Sequence, residues 1–373
     1  MTRRITRSSK LVLVLAMGLL GSTLGSMPAA FAASPHWVVV KAGATGRLNA
    51  VSCASPTNCM AVGANSGGAA DVARWNGHHW TTTTPAFPAG AYLDGVSCVS
   101  KKFCMVVGIV TGGPLAEKWN GTSWTEVTAA NPQSTAALKA VSCPSAKDCW
   151  AVGAIDGNAT LAEHWTGKQF TIVSTVTVGK LDYLNGVSCH GSMCMAVGGG
   201  TKGALLERST GKKFTRVKAG HTAKGYTADM WSVSCPTSKE CIAVGEQDSS
   251  KAYKTLTEVY RKGRFTTVIS PNPTHLAFPY NTLLAVSCVS SKDCWANGQG
   301  GAFSFAGAHP TSKDRSTIAA KWNGHSWHVA RSVNPGNHPS GFVGGSCASS
   351  KHCFAVGNQP GATGHALIEK LVG

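Results

Sequence analysis

The sequence runs to 373 residues and sets 34 Lys and Arg against 17 Asp and Glu, a formal charge of +17, yet only 14% of it is charged and 43 residues are Gly. That balance excludes charge-rich disorder, demands many tight turns and favours anionic partners.

In chain order, Arg3, Arg4, Arg7 and Lys10 precede an apolar run, Leu11 to Leu20, and a small-residue segment then ends in Ala30-Phe31-Ala32. This pattern predicts a secretory signal peptide over residues 1–32. The apolar run falls short of the roughly 20 residues that a spanning helix needs, and no transmembrane segment is expected in the mature chain. Arg3-Arg4 suggests twin-arginine export, but Thr6 stands where that signal has an apolar residue, so general export is the expectation. Cleavage would remove four positive charges and leave +13 on a single domain, residues 33–373.

That domain repeats one phrase. Val51-Ser52-Cys53 followed by Cys59-Met60-Ala61-Val62-Gly63 recurs seven times, with first cysteines at Cys53, Cys98, Cys143, Cys189, Cys235, Cys288 and Cys347. The steps between them are 45, 45, 46, 46, 53 and 59 residues. Second cysteines follow at Cys59, Cys104, Cys149, Cys194, Cys241, Cys294 and Cys353, which uses all 14. Each copy reads as four short strands. The third ends in an aromatic and a tight turn, as in Trp75-Asn76-Gly77 and Trp322-Asn323-Gly324, and a second aromatic (Trp80, Trp327) opens the fourth. Copies four and five place Ser209 and Tyr260 at the first aromatic position. A fixed period of this size filled with β-type runs predicts propeller blades.

The chain ends support this reading. The last copy stops at Leu371-Val372-Gly373 without a fourth strand, and Pro35 to Val40 reads as a fourth strand without the other three. The fold class expected is therefore all-β: a seven-bladed β-propeller of four-stranded blades, with the N-terminal strand closing the last blade. Two cysteines facing each other across a hairpin lie within disulfide range, roughly 4.5 Å between Cα atoms. One bridge per blade is expected, and no metal site, since zinc wants two close pairs converging on one ion.

Strand order puts the Cys turn and the Asn-Gly turn on one face of the disc, nearly constant from copy to copy. The connections from strand two to three, and from blade to blade, lie on the other face and vary. The two longest steps bring insertions there: Ser270 to Tyr280, and Gly298 to Ser316 with Phe303 and Phe305. Aromatic groups mixed with basic ones suit stacking on sugar rings while pairing with anions. The candidate ligand-binding residues are Tyr226, His275, Phe278, Tyr280, His309 and Arg315. The competing reading is that the aromatics pin the loops and the charges are solvated. The repeated Trp pairs recur at one fixed place in each copy, as core filling would require.

No Gly-x-Ser-x-Gly elbow, His-Glu-x-x-His helix or phosphate-binding glycine loop occurs, so no catalytic residue is nominated and no cofactor is expected. No specific nucleic-acid motif occurs either. The full pattern, Val-Ser-Cys, then Cys-x-Ala-Val-Gly, then Trp-Asn-Gly-x-x-Trp, resembles the repeats of exported bacterial β-propeller proteins, actinobacterial ones in particular. It is only distantly similar to sialidase and kelch propellers. The resemblance implies a propeller outside the cell and leaves activity open.

The expectation for function is a monomeric, non-catalytic module, secreted free or associated with the cell wall, that binds a carbohydrate, cell-wall or other anionic surface polymer through the variable face. The alternatives are a glycoside hydrolase or polysaccharide lyase acting on an acidic glycan, and a protein-binding scaffold.

Overall fold

The computed structural model describes residues 35–41, 43, 46–249, 252–273, 279–302, 315–334, 340–359 and 365–373. These hold 28 strands and no helix. Blade one comprises Gly46–Ser55, Asn58–Asn65, Ala70–Trp75 and Trp80–Thr83, hydrogen-bonded in that order. The same antiparallel order recurs around the ring. Each innermost strand packs against those of both neighbouring blades, and that of blade seven returns to blade one. Blades five and six are further joined by one parallel pair, Tyr253 with Tyr280.

Blade seven consists of Gly341–Ser349, His352–Gln359, His365–Val372 and, as its outer strand, His36–Val39. Trp37 pairs with Leu371, so the N-terminal strand closes the ring as its incomplete ends require. Its indole is fully buried, edge-on to Trp295 of blade six at 5.4 Å.

The repeated Val-Ser-Cys has a physical reason. All seven predicted disulfides are present, each with its Cα atoms 4.0 Å apart, and no cysteine is free. At so close a cross-strand pair the backbone N–H of the first Cys points away from its own hairpin. Left alone, it would be an unpaired donor on a sheet edge. Instead it donates to the Ser hydroxyl of the preceding blade. Cys98 donates to Ser52, Cys143 to Ser97, Cys189 to Ser142, Cys235 to Ser188, Cys288 to Ser234 and Cys347 to Ser287. Cys53 donates to Ser346 and closes the circle, and all seven bonds measure 2.9–3.0 Å.

The other repeated residues also have structural tasks. In every blade the register of strands one and two slips at the fourth residue before the first Cys, a β-bulge at Asn49, Asp94, Lys139, Asn185, Trp231, Leu284 or Val343. The facing strand answers with the Gly of Ala-Val-Gly. A Cβ on Gly153 would sit 1.9 Å from the Ala137 carbonyl oxygen, and the other six copies are equally tight. Trp75, Trp119, Trp165 and Trp322 are 1–7% exposed. Each donates its indole N–H to a carbonyl in its own Cys turn at 3.1–3.3 Å. The Trp pairs are core filling between adjacent blades: Trp75 and Trp80 both pack on Phe354 of blade seven.

Four buried carboxyls tie each blade to the chain arriving from the one before it. Glu163, Glu207, Glu258 and Glu369 accept the backbone N–H of Ala130, Val176, Gly220 and Val333 at 2.9–3.3 Å. Burial pushes Glu163, Glu207 and Glu369 up to about 7, and their counterpart Glu117 likewise.

Two outcomes are expected. Trp37→Ala should cost about 3–5 kcal/mol by removing a fully packed indole; an unchanged denaturant midpoint would show that this strand does not close the ring. Acids whose folded pKa is raised favour the fold below their unfolded value, near 4.5, and that advantage is lost as pH rises through about 7. The melting temperature should therefore be higher at pH 5 than at pH 8, and the opposite order would rule these glutamates out as the controlling groups.

Candidate functional site

The bulges decide where a ligand can go. A bulge re-aims the residue that it frees, and here seven of them face the propeller axis at one level. Below them the Val51, Val96, Val141, Val187 and Val233 layer narrows the channel to about 160 Å³. At and above them, on the face of the variable connections, the channel opens into a cavity of about 590 Å³. Trp231, Leu284 and Val343 make one half of the bulge ring apolar, and Asp94, Lys139 and Asn185 make the other half polar. Tyr253, Tyr280, Glu246 and Gln299 complete the wall.

The wall is built where blades five and six join. Tyr253 and Tyr280 meet at 5.2 Å between ring centroids. Gln299 donates its amide to the Tyr280 hydroxyl at 3.4 Å. Burial, with the nearby Glu246 charge, pushes the Tyr280 phenol up to about 12. Glu246 and Gln299 occupy one repeat position, the residue after Ala-Val-Gly or its counterpart, on neighbouring blades.

Charge is divided across the mouth. On blades one to three, Lys139 pairs with Asp94 at 3.2 Å and the Arg47 guanidinium lies over the Tyr92 ring at 4.7 Å. On blades four and five the groups are acidic. Glu246 is only 8% exposed, and burial followed by the charges of Asp229 and Asp248 raises it to about 7 against the opposing hydrogen bonds of Thr282 and Trp231. Asp229 accepts the Tyr183 hydroxyl and is raised to about 6, again mainly by burial. No ion pair to Glu246 or Asp229 occurs among the described residues. A basic protein thus holds, beside its axial cavity, a buried acidic cluster that forms no ion pair among the described residues.

The predicted site residues divide. Tyr280 forms part of the cavity wall and is buried. Arg315 lies near enough to Tyr280 to lower its phenol pKa slightly. Tyr226 stands apart from the lining, its ring under the Lys254 ammonium at 5.2 Å. His275, Phe278 and His309 lie outside the described residues, as do Phe303 and Phe305. Glu246, Asp229, Tyr253, Trp231 and Gln299 escaped sequence reasoning. For Trp231 alone a signal was available: the residue four before each first Cys reads Asn, Asp, Lys, Asn, Trp, Leu and Val, in a stretch otherwise nearly constant. Among the described residues, no group of three or more His, Cys, Asp or Glu is placed to hold a metal ion.

No protein-family model matches this chain, and no curated protein matches it. Solved structures do. The structure described as YCF48 bound to D1 peptide aligns with a TM-score of 0.60 at 13% identity, over 90% of this chain and 95% of that one. The WD40 β-propeller domain of Doa1 aligns at 0.56 and 12% identity, over 91% and 96%. The RRP9 WD40 repeats align at 0.61 and 8% identity, over 90% and 97%. The chain is a β-propeller. At these identities the likeness extends to the fold alone.

Replacing the buried acid with its amide gives a direct test of the cavity's electrostatics. Glu246→Gln should raise the melting temperature at pH 8, where the native carboxyl is ionised in a poor environment. It should leave it nearly unchanged at pH 5, where both side chains are neutral. A loss of stability at both pH values would mean that the carboxylate is internally compensated.

Proposed function

We propose that this chain is a non-catalytic binding module, acting in an oxidising extracytoplasmic setting, whose axial cavity takes a Lys or Arg side chain presented by a protein or peptide. One observation carries the reading: Glu246 is buried, raised to about 7 and free of any ion-pair partner, at a cavity walled by Trp231, Tyr253 and Tyr280. A basic side chain is the complement of such a site. Its aliphatic stem lies against Leu284 and Val343, its cation can face the aromatic rings, and its head neutralises the carboxylate. Seven disulfides fit an oxidising compartment. That the YCF48 structure is a peptide complex supports a peptide ligand, at the level of fold only.

The carbohydrate reading remains the alternative, because the Asn185 and Gln299 amides beside Trp231 and Tyr280 would also suit a sugar ring stacked on them. The test is titration of short peptides differing only in Lys, Arg, Gln or Glu at one position, followed by indole fluorescence, beside a glycan array. Lys or Arg peptides should bind. Their affinity should fall as pH drops below 7, because Glu246 must give up its proton to pair. Glu246→Gln should weaken binding roughly thirtyfold or more, as loss of a desolvated charge partner does. Glycan retention without peptide binding would replace this reading with the alternative, and peptide binding indifferent to Glu246→Gln would move the site elsewhere.

A further inference from the structure

The excess positive charge is not spread evenly. Between Arg208 and Lys224 stand six Lys and Arg, namely Arg208, Lys212, Lys213, Arg216, Lys218 and Lys224, and no Asp or Glu. Arg261, Lys262 and Arg264 follow in the next blade. These are the two blades in which Ser209 and Tyr260 replace the Trp of the third strand. There the turns read Thr210-Gly211-Lys212-Lys213 and Arg261-Lys262-Gly263-Arg264 instead of the Asn-Gly followed by small or His residues of blades one, two and six; blade three, with Thr166-Gly167-Lys168, is intermediate. The departures from the repeat and the charge coincide.

The fold brings the two runs together. Phe214–Arg216 and Arg264–Val268 are the outermost strands of blades four and five. The Phe265 backbone N–H donates to the Lys218 carbonyl at 3.4 Å, which seats the chain leaving blade four against the outer strand of blade five. Lys218, His221 and Arg264 line the resulting cleft of about 410 Å³ with Thr266 and Thr267. Lys212, Lys213, Arg216, Lys218, Lys262 and Arg264 are all exposed, and none forms an ion pair among the described residues. Arg261 alone is engaged, with Glu240. The acids beneath, Glu207 and Glu258, are buried and bonded to backbone N–H groups. Only Arg216, paired across the strands with Glu207, and His221, beside Glu258, feel an acid beneath; the other cations are stacked along one rim without a nearby acid, which raises the potential there and draws in anions.

We propose that this rim of blades four and five is a second binding site, for a linear acidic polysaccharide outside the cell. The aromatic side chains on these strands, Phe214 and Phe265, are 2% and 4% exposed and face the core, so the rim offers no stacking platform for the bases of a single-stranded nucleic acid. What it offers is a row of exposed ammonium and guanidinium groups with Thr hydroxyls between them. That suits carboxylates repeating along a flexible chain. The disulfides set the compartment, where polysaccharide carboxylates are a standing source of such anions. The site is separate from the axial cavity, and either can fail without the other.

The experiment measures binding of the full chain to polygalacturonate as a function of salt, with double-stranded DNA of matched charge as a second arm. Lys213→Ser, Arg216→Ser and Arg264→Ser combined should weaken polygalacturonate binding by about tenfold or more and flatten its salt dependence. A control removes the same charge from the Cys turns of blades two and three, Lys101→Ser, Lys102→Ser and Lys147→Ser, and should change affinity by less than about twofold. Intact-mass disulfide count and melting temperature report that both variants are folded. Equal loss in both variants would mean that net charge alone is responsible, and no loss in the rim variant would remove the site; either overturns the proposal. So would binding of DNA alone. Binding of Lys peptides should be unaffected by the rim substitutions, which separates this result from that of the axial cavity.

Discussion

Everything in this molecule depends on how its seven inner strand edges are satisfied. A sheet edge presents unpaired N–H groups, and a ring of sheets brings all its inner edges to one axis, where bulky side chains cannot cover them. The Ser hydroxyl of one blade accepting the first Cys N–H of the next meets that need with a side chain of minimal size. The disulfide and the hydroxyl act together: the bridge holds the pair at 4.0 Å, and that pairing aims the N–H outward. Val-Ser-Cys is therefore an inter-blade fastener, and its repetition follows from rotational symmetry.

Once the frame is fastened this way, variation is confined to places where it costs little. The bulge residue is one such place, because its backbone is already out of register and its side chain faces a channel. Four bulge positions are polar and three are apolar. The result is a mouth with an apolar side and a polar one on a nearly symmetric scaffold. The outer rim is another such place, where the Trp-Asn-Gly turn has given way to lysines and arginines in two adjacent blades.

The blade count, the cysteine pairing and the closing strand were legible in the sequence because each follows from counting. The period is fixed, the cysteines are even in number, and two incomplete ends sum to one strand. The axial cavity was legible only in outline. Sequence reading favours insertions, and those of blades five to seven drew attention to His275, Phe278 and His309. The acids at and beside the cavity adjoin ordinary repeat residues: Glu246 comes after Ala243-Val244-Gly245, and Asp229 just before Met230-Trp231. Nothing in their spacing shows that they are raised to about 7 and about 6, because the cause is three-dimensional: burial, and the gathering of Glu246, Asp229 and Asp248 in one place. The net charge also misled in one respect: it describes the rim and is opposite to the cavity.

The closing strand has a consequence for how the molecule assembles. Each disulfide joins residues only five or six apart. Every bridge can therefore form as soon as its own hairpin exists, with little opportunity for mispairing between blades. The pairing of Trp37 with Leu371 is the opposite extreme, a contact across nearly the whole chain. Such contacts form late, since the ordering of the intervening chain must precede them. Synthesis and oxidation thus yield an open arc of finished blades, and circularisation waits for His365–Val372. The seam between first and last strands is where that arc must be shut, and where an unfolding ring would be expected to reopen.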